Sequence, residues 1–173
     1  MTESERANRA YGVFQTIARG YDAANERISL GRQRRWKRAA IDGLRLKNTG
    51  RGLDLGCGTG DMLELLAERY PGMALVGLDF SPNMLQVAKE RLAGFANVSL
   101  EQGDAMHLGY ADGSFDCVVS AFALLNMASC ERAVGEIARV LRPGGVVCCM
   151  DSFVPECRAL LPLYRLYFKR LMP

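Results

Sequence analysis

The chain has a single histidine, a single tryptophan and six cysteines, none of them at C-x-x-C spacing. Without a cluster of Cys and His at ligand spacing, no metal centre is expected. No apolar run approaches the ~20 residues that a membrane-spanning helix needs, and no signal peptide is recognisable. Reduced thiols and a cytoplasmic location are therefore the default expectation. Cys148-Cys149 sit within an apolar run and read as small buried hydrophobes. Charge of one sign is also scarce: 22 basic against 19 acidic residues leave +3, too little to argue for nucleic acid. Internal repeats and low-complexity tracts are absent.

What is present is a 173-residue chain of ordinary globular composition, long enough for one domain with a sizeable core. It is organised around Gly52-Leu53-Asp54-Leu55-Gly56-Cys57-Gly58-Thr59-Gly60-Asp61, an apolar strand running into a glycine turn and then a helix. Glycines let the backbone turn tightly and approach a ligand. The free N–H groups at the following helix start favour a polar or anionic group. The spacing is G-x-G-x-G, which departs from the G-x-G-x-x-G dinucleotide fingerprint and counts against NAD.

Ahead of this turn, residues 2–47 read as a polar, helix-rich lead-in. Tyr11, Val13, Phe14, Ile17 and Ala18 fall at helical spacing. A second helix is expected over about 31–46, where Arg32, Arg34, Arg35, Lys37 and Arg38 surround Trp36. A solvated face is the plain reading of that cluster; contact with phosphate, lipid headgroups or an acidic partner is the other. From Arg51 onward strands and helices alternate. Strands are expected at Arg51–Leu55, Ala74–Leu78, Val98–Gln102, Phe115–Ala121 and Val146–Asp151, and helices at Asp61–Tyr70, from Pro82 to about Ala93, and at Glu131–Leu141. Runs apolar on consecutive residues mark strands buried on both faces. The fold class is thus α/β, a doubly wound, mostly parallel sheet with a helical lead-in. Ligands in such folds bind at the carboxyl ends of the strands.

Three carboxylates recur near those ends: Asp54, Asp79 and Asp104. An acidic residue about 20 residues after the glycine turn can take both ribose hydroxyls. A carboxylate after the third strand can accept from an exocyclic amine. Asp54 can hold the glycine turn or approach an ammonium group.

As an ordered set, Leu53–Gly60, Gly77-Leu78-Asp79-Phe80-Ser81, Gly103-Asp104-Ala105, Phe115-Asp116-Cys117-Val118-Val119 and Leu141-Arg142-Pro143-Gly144-Gly145 resemble the successive motifs of class I S-adenosylmethionine-dependent methyltransferases. In the lead-in, Val13-Phe14, Ala18-Arg19-Gly20-Tyr21-Asp22, Asn25 and Arg34-Arg35-Trp36-Lys37 resemble the ubiquinone/menaquinone biosynthesis C-methyltransferases. The resemblance implies S-adenosyl-L-methionine as cofactor and a carbon of a prenylated quinol as acceptor. It implies a cofactor site of Asp54, Gly56, Gly58, Thr59, Gly60, Asp79, Phe80, Asp104 and Ala105. Asp79 would take the ribose, Asp104-Ala105 the adenine, and the glycine loop with Thr59 the methionine part. Tyr21, Asp22 and Asn126 are the candidates for catalysis by family position. Residues 1–50 would then form a lid-like lead-in and 51–173 the cofactor domain.

Two departures bear on the acceptor and on the extent of the fold. Where that family typically reads Ser-Phe-Gly-x-Arg-Asn, this chain reads Ala121-Phe122-Ala123-Leu124-Leu125-Asn126. A quinol oxygen would thereby lose a charged partner worth about 1.5–3 kcal/mol. This class also usually carries two further strands after the fifth, so the expected sheet lacks them. His107 reads as a surface or structural histidine. The apolar and basic stretch Pro155–Pro173 reads as a packed helix with snorkelling cations, or as an interfacial one. Peripheral membrane contact and a homodimer are both compatible with that composition; a nucleic-acid partner is not expected.

Overall fold

The structure, a computed structural model, describes residues 11–152 together with Pro162. The expectation for Pro155–Pro173 therefore lies outside the described residues, Pro162 apart. The lead-in comprises α1 (helical over 11–17), α2 (Tyr21–Ile28) and α3 (Gln33–Gly43). Then follow β1 (Arg51–Leu55), α4 (Asp61–Arg69), β2 (Ala74–Asp79), α5 (Pro82–Arg91), β3 (Val98–Gln102), β4 (Phe115–Ala121), a 3-10 turn at Leu124–Asn126, α6 (Cys130–Val140) and β5 (Leu141–Met150).

The five strands form one sheet in the order β3-β2-β1-β4-β5, and every pairing is parallel. Chain order reverses between β1 and β4, which fixes the topological switch point beside the glycine turn. Because side chains alternate across a strand, the sheet feeds two cores. Leu53, Leu55, Val76, Leu78, Phe115 and Val118 face α6 through Ile137 and Val140. Leu75, Cys117 and Val119 face the other way, onto Leu63 and Leu66 of α4, Ile41 of α3 and Ala88 of α5. Burial on both faces explains the apolar run of β2, whereas β5 lies at the edge of the sheet and none of its residues is buried: Val147 and Cys149 are exposed and Cys148 is half-buried, so Cys148-Cys149 are not the buried pair expected.

Local signals act as expected at most boundaries. Ser81 caps α5 by accepting from the Met84 N–H, with Pro82 at the first helical position. Ser129 caps α6 by accepting from Arg132 N. Helix α2, at Tyr21–Ile28, occupies a stretch where the lead-in pattern indicated no helix, and two boundaries differ by three residues or more. Helix α3 ends at Gly43 because Leu44 turns extended, and Leu44 is buried there. Strand β5 begins at Leu141 rather than Val146. Leu141 pairs with Phe115 and Val146 with Cys117, so residues 142–145 are accommodated as a bulge in the strand.

The basic cluster of α3 is not a simple solvated face. Arg34 reaches Glu64 at 3.0 Å and Arg38 reaches Glu68 at 3.1 Å, both across to α4. Lys37 is buried, and its Nζ donates to both Asp61 oxygens at 2.6 and 2.7 Å. Helix α3 is thus tied to α4, whose N-terminus follows the glycine turn.

Candidate active site

At the carboxyl ends of the strands, near the switch point, lies a cavity of about 210 Å³. Its walls come from Gly56 and Gly58 after β1, Asp79 and Phe80 at the end of β2, Gly103 to Met106 after β3, and Ala121 to Ala123 at the end of β4. Phe14 and Tyr21 from the lead-in and Asn126 from the 3-10 turn complete it.

The glycine turn shapes this wall. Gly56 has φ +73, and a Cβ there would lie 2.6 Å from the Ala123 Cβ, so the loop after β4 packs directly on the turn. Gly58 also has positive φ, but nothing lies within 4 Å of its Cβ position. The space a side chain would fill there is left to the cavity. The N–H groups of Gly56 and Cys57 both donate to the Leu78 carbonyl, at 2.8 and 3.0 Å, which locks the turn to the end of β2.

Asp79 is fixed at that junction. Its Oδ2 accepts from Gly58 N at 2.8 Å and its Oδ1 from Ser81 N at 2.9 Å. Burial raises its pKa above the ordinary carboxylate value, and the N–H groups of Ser81, Gly58 and Phe80 oppose that rise. Asp104 is held more openly. Its Oδ1 accepts from Met106 N and its Oδ2 meets His107 Nδ1, each at 2.9 Å. The lone histidine is exposed and braces a cavity residue from outside.

Of the residues singled out in the sequence, Tyr21, Gly56, Gly58, Asp79, Phe80, Asp104, Ala105 and Asn126 share the cavity wall. Asp22, Asp54, Thr59 and Gly60 are not part of it. Asp22 accepts from the Thr59 hydroxyl at 2.7 Å and pairs with Arg91, so it clasps α2 to the glycine turn and α5. Gly60 supports the start of α4 with φ +80. Asp54 lies in the sheet, 1% exposed, and its Oδ2 has no hydrogen-bond partner among the described residues. Desolvation lifts its pKa to about 8 although Lys37 pulls it down.

The lead-in packs over the cavity through aromatic contacts. Phe14 meets Tyr21 at 5.9 Å and Phe80 at 6.1 Å between ring centroids, both edge-on, and Tyr11 meets Phe80 at 5.8 Å. Burial raises the Tyr21 phenol above its usual pKa, so it stays protonated near neutrality. Asn126 donates from Nδ2 to the Phe122 carbonyl at 2.9 Å.

Phe122 sits in the left-handed region at φ 57, a strained conformation for a bulky residue. Its role as a wall residue had no sequence signal, and the same is true of Met106, Met127 and Ala128. Arg139 was missed as well. It donates to the carbonyls of Leu108 and Tyr110 at 2.9 and 2.7 Å, and so holds the loop that begins with the Asp104 wall. Paired Arg139 also pulls the Glu136 carboxyl down to about 2.

Among the described residues no helix is long and apolar enough to cross a membrane, and no group of three or more His, Cys, Asp or Glu is placed to hold a metal ion.

A demethylmenaquinone methyltransferase of Staphylococcus aureus (strain JH9) is 40% identical over 162 residues, which cover 93% of this chain and 67% of that relative. The solved [4+2]-cyclase SpnF superposes with a TM-score of 0.67 at 30% identity, covering 72% of this chain and 47% of that one. Phosphoethanolamine N-methyltransferase 1 of Haemonchus contortus, solved with phosphoethanolamine and S-adenosylhomocysteine, gives a TM-score of 0.75 at 22% identity. It covers 90% of this chain and 34% of that one, and it speaks to the fold alone. The model of the ubiE/COQ5 methyltransferase family matches residues 1–173. By that whole-length match and the 40% identity, the chain belongs to the ubiE/COQ5 methyltransferase family of S-adenosylmethionine-dependent enzymes.

Proposed function

We propose that the chain methylates a ring carbon of a prenylated quinol of the demethylmenaquinol type, using S-adenosyl-L-methionine. The observation that carries this reading is the mixed lining of the cavity, which combines the carboxylates Asp79 and Asp104 and the open position at Gly58 with apolar Phe14, Ala121, Phe122 and Met127. The polar lining fits the cofactor. Asp79 would accept from the ribose hydroxyls with the lone pairs its two N–H partners leave free. Phe80 would flank the adenine, and backbone at Ala105 would meet its edge. Gly58 would let the main chain lie against the ligand. When bound, the cofactor supplies an electrophilic methyl group.

The chain's own task is then to place the acceptor carbon in line with that methyl. The apolar lining would hold the quinol ring and exclude water. Tyr21, kept protonated by burial, would donate to a quinol oxygen rather than act as a base. Asn126 has its Nδ2 committed to Phe122, which leaves Oδ1 to accept a phenolic proton's hydrogen bond or to orient a water that takes it. Asp22 is better read as a clasp than as a base, since its carboxylate is shared by Thr59 and Arg91. The demethylmenaquinone methyltransferase relative supports this acceptor class.

The test is methyl transfer from labelled S-adenosylmethionine to a panel of reduced acceptors. Label in demethylmenaquinol, lost in Asn126→Leu with cofactor affinity kept, supports the proposal. Label only in non-prenylated acceptors supports a second reading, another small-molecule acceptor. Leu125 and Ala121, which stand where the quinol enzymes typically carry Arg and Ser, favour that second reading.

A further inference from the structure

The corner between α2 and α3 carries a surface that the site does not use. Leu30 is its apex. It is 73% exposed, the highest exposure given for any large hydrophobic residue among the described residues, and it is held at φ 53. A branched side chain seldom takes that conformation without a reason in its surroundings. Arg32 at the N-cap of α3, and Arg35, Trp36 and Ala39 on the helix, are all exposed. They occupy the side of the helix opposite buried Lys37 and Ile41, as the 3.6-residue period requires.

The cations of α3 therefore divide into two sets. Arg34, Lys37 and Arg38 are paired with α4. Arg32 and Arg35, with Arg27 at the end of α2, have no carboxylate partner among the described residues. The nearest acid in sequence is Glu26, whose side chain lies by Gly31. Leu30 and Trp36 are thus exposed within a stretch whose Arg27, Arg32 and Arg35 have no carboxylate partner among the described residues.

We propose that this corner docks the protein on an anionic lipid bilayer. Leu30 and Trp36 would enter the boundary between headgroups and acyl chains, with Arg27, Arg32 and Arg35 on the phosphates. The apolar apex favours lipid over nucleic acid, for which unpaired cations alone would serve. The proposal rests on the quinol reading for its purpose, because a prenylated acceptor resides in a bilayer. Helix α2 links the two places, with Tyr21 at the cavity wall and its last residue, Ile28, about 10 Å further along the helix axis.

Trp36 is the only tryptophan, so its emission reports this corner alone. The experiment is co-sedimentation of the full chain with phosphatidylcholine vesicles, with and without phosphatidylglycerol, while Trp36 emission is followed. Binding to the anionic vesicles, weakened by salt, with a blue shift of Trp36 is expected. Arg32→Glu with Arg35→Glu, on an exposed helix face, should weaken it about tenfold or more and leave S-adenosylmethionine affinity unchanged. Leu30→Asn, which tolerates the left-handed backbone, should weaken it with the fold intact. Absence of binding, binding with an unshifted Trp36, or a shift given only by an oligonucleotide would each overturn the proposal. The vesicles contain no quinol and no methyl transfer is read, so such a failure leaves the acceptor to be judged separately with a short-chain, water-soluble quinol.

Discussion

At the scale of single residues, the carboxylates divide by environment. Asp79 faces the cavity with N–H partners from Gly58 and Ser81, so Asp79→Ala should abolish measurable cofactor binding and cost about 1–3 kcal/mol of stability through the donors it leaves unpaired. Isothermal titration and thermal denaturation of the same sample check both parts. Gly58→Ala would add a methyl group to the open cradle at positive φ. It should cost about 1–2 kcal/mol of stability and at least tenfold in cofactor affinity. Asp54 behaves differently. Folding raises its pKa from about 3.9 to about 8, so between those values the folded chain keeps a proton that the unfolded chain has released. Its contribution to stability is therefore full below the unfolded pKa and is lost as pH rises through the folded one. Asp54→Asn should flatten that decline, as thermal denaturation at the two ends of the window would register. The sequence placed Asp54 and Asp79 at equivalent strand positions. The difference between them is register: Asp54 pairs with Gly77, two residues before Asp79, so it lies inside the sheet while Asp79 closes its strand at the cavity, and that alignment is set only when the strands pair.

At the scale of elements, the βα units were legible because their signals are local. Ser81-Pro82 starts α5, and the consecutive apolar residues of Ala74–Leu78 mark β2 as buried on both faces, although the similar run Val146–Met150 lies in the edge strand β5 and is only partly covered. The lead-in was less so, because its role is decided across space. The basic run on α3 reads as a solvated stripe until α4 is placed beside it, when Arg34, Lys37 and Arg38 find Glu64, Asp61 and Glu68. Burial decides which pair matters. Arg34 is half exposed, so Arg34→Ala should cost under about 1 kcal/mol. Lys37 is buried against a carboxylate only a quarter exposed, so Lys37→Met should cost about 2–4 kcal/mol by leaving Asp61 unpaired. Chemical denaturation of the two variants checks the order. The β5 entry was misread for a related reason. Pro and Gly in Arg142-Pro143-Gly144-Gly145 signal a break, and the chain uses that break as a bulge after Leu141 has already paired with Phe115.

At the scale of the whole molecule, the parallel sheet brings residues far apart in sequence onto one cavity, and the α1–α2 lead-in closes part of its wall with Phe14 and Tyr21. The ordered motifs made the Gly56, Gly58, Asp79 and Asp104 part of the wall readable from the residues themselves. The rest of the wall was not, because Phe122, Met127 and Ala128 are ordinary apolar residues until the fold brings them to the same cavity. The central claim is that this cavity is built for the cofactor. Its most direct test is calorimetric titration of S-adenosylmethionine into the wild-type chain and into Asp79→Ala. Saturable one-site binding by the wild type, lost in a folded Asp79→Ala, is the expected result. A folded wild-type chain that binds no cofactor, or an Asp79→Ala chain that binds it equally well, would contradict the claim.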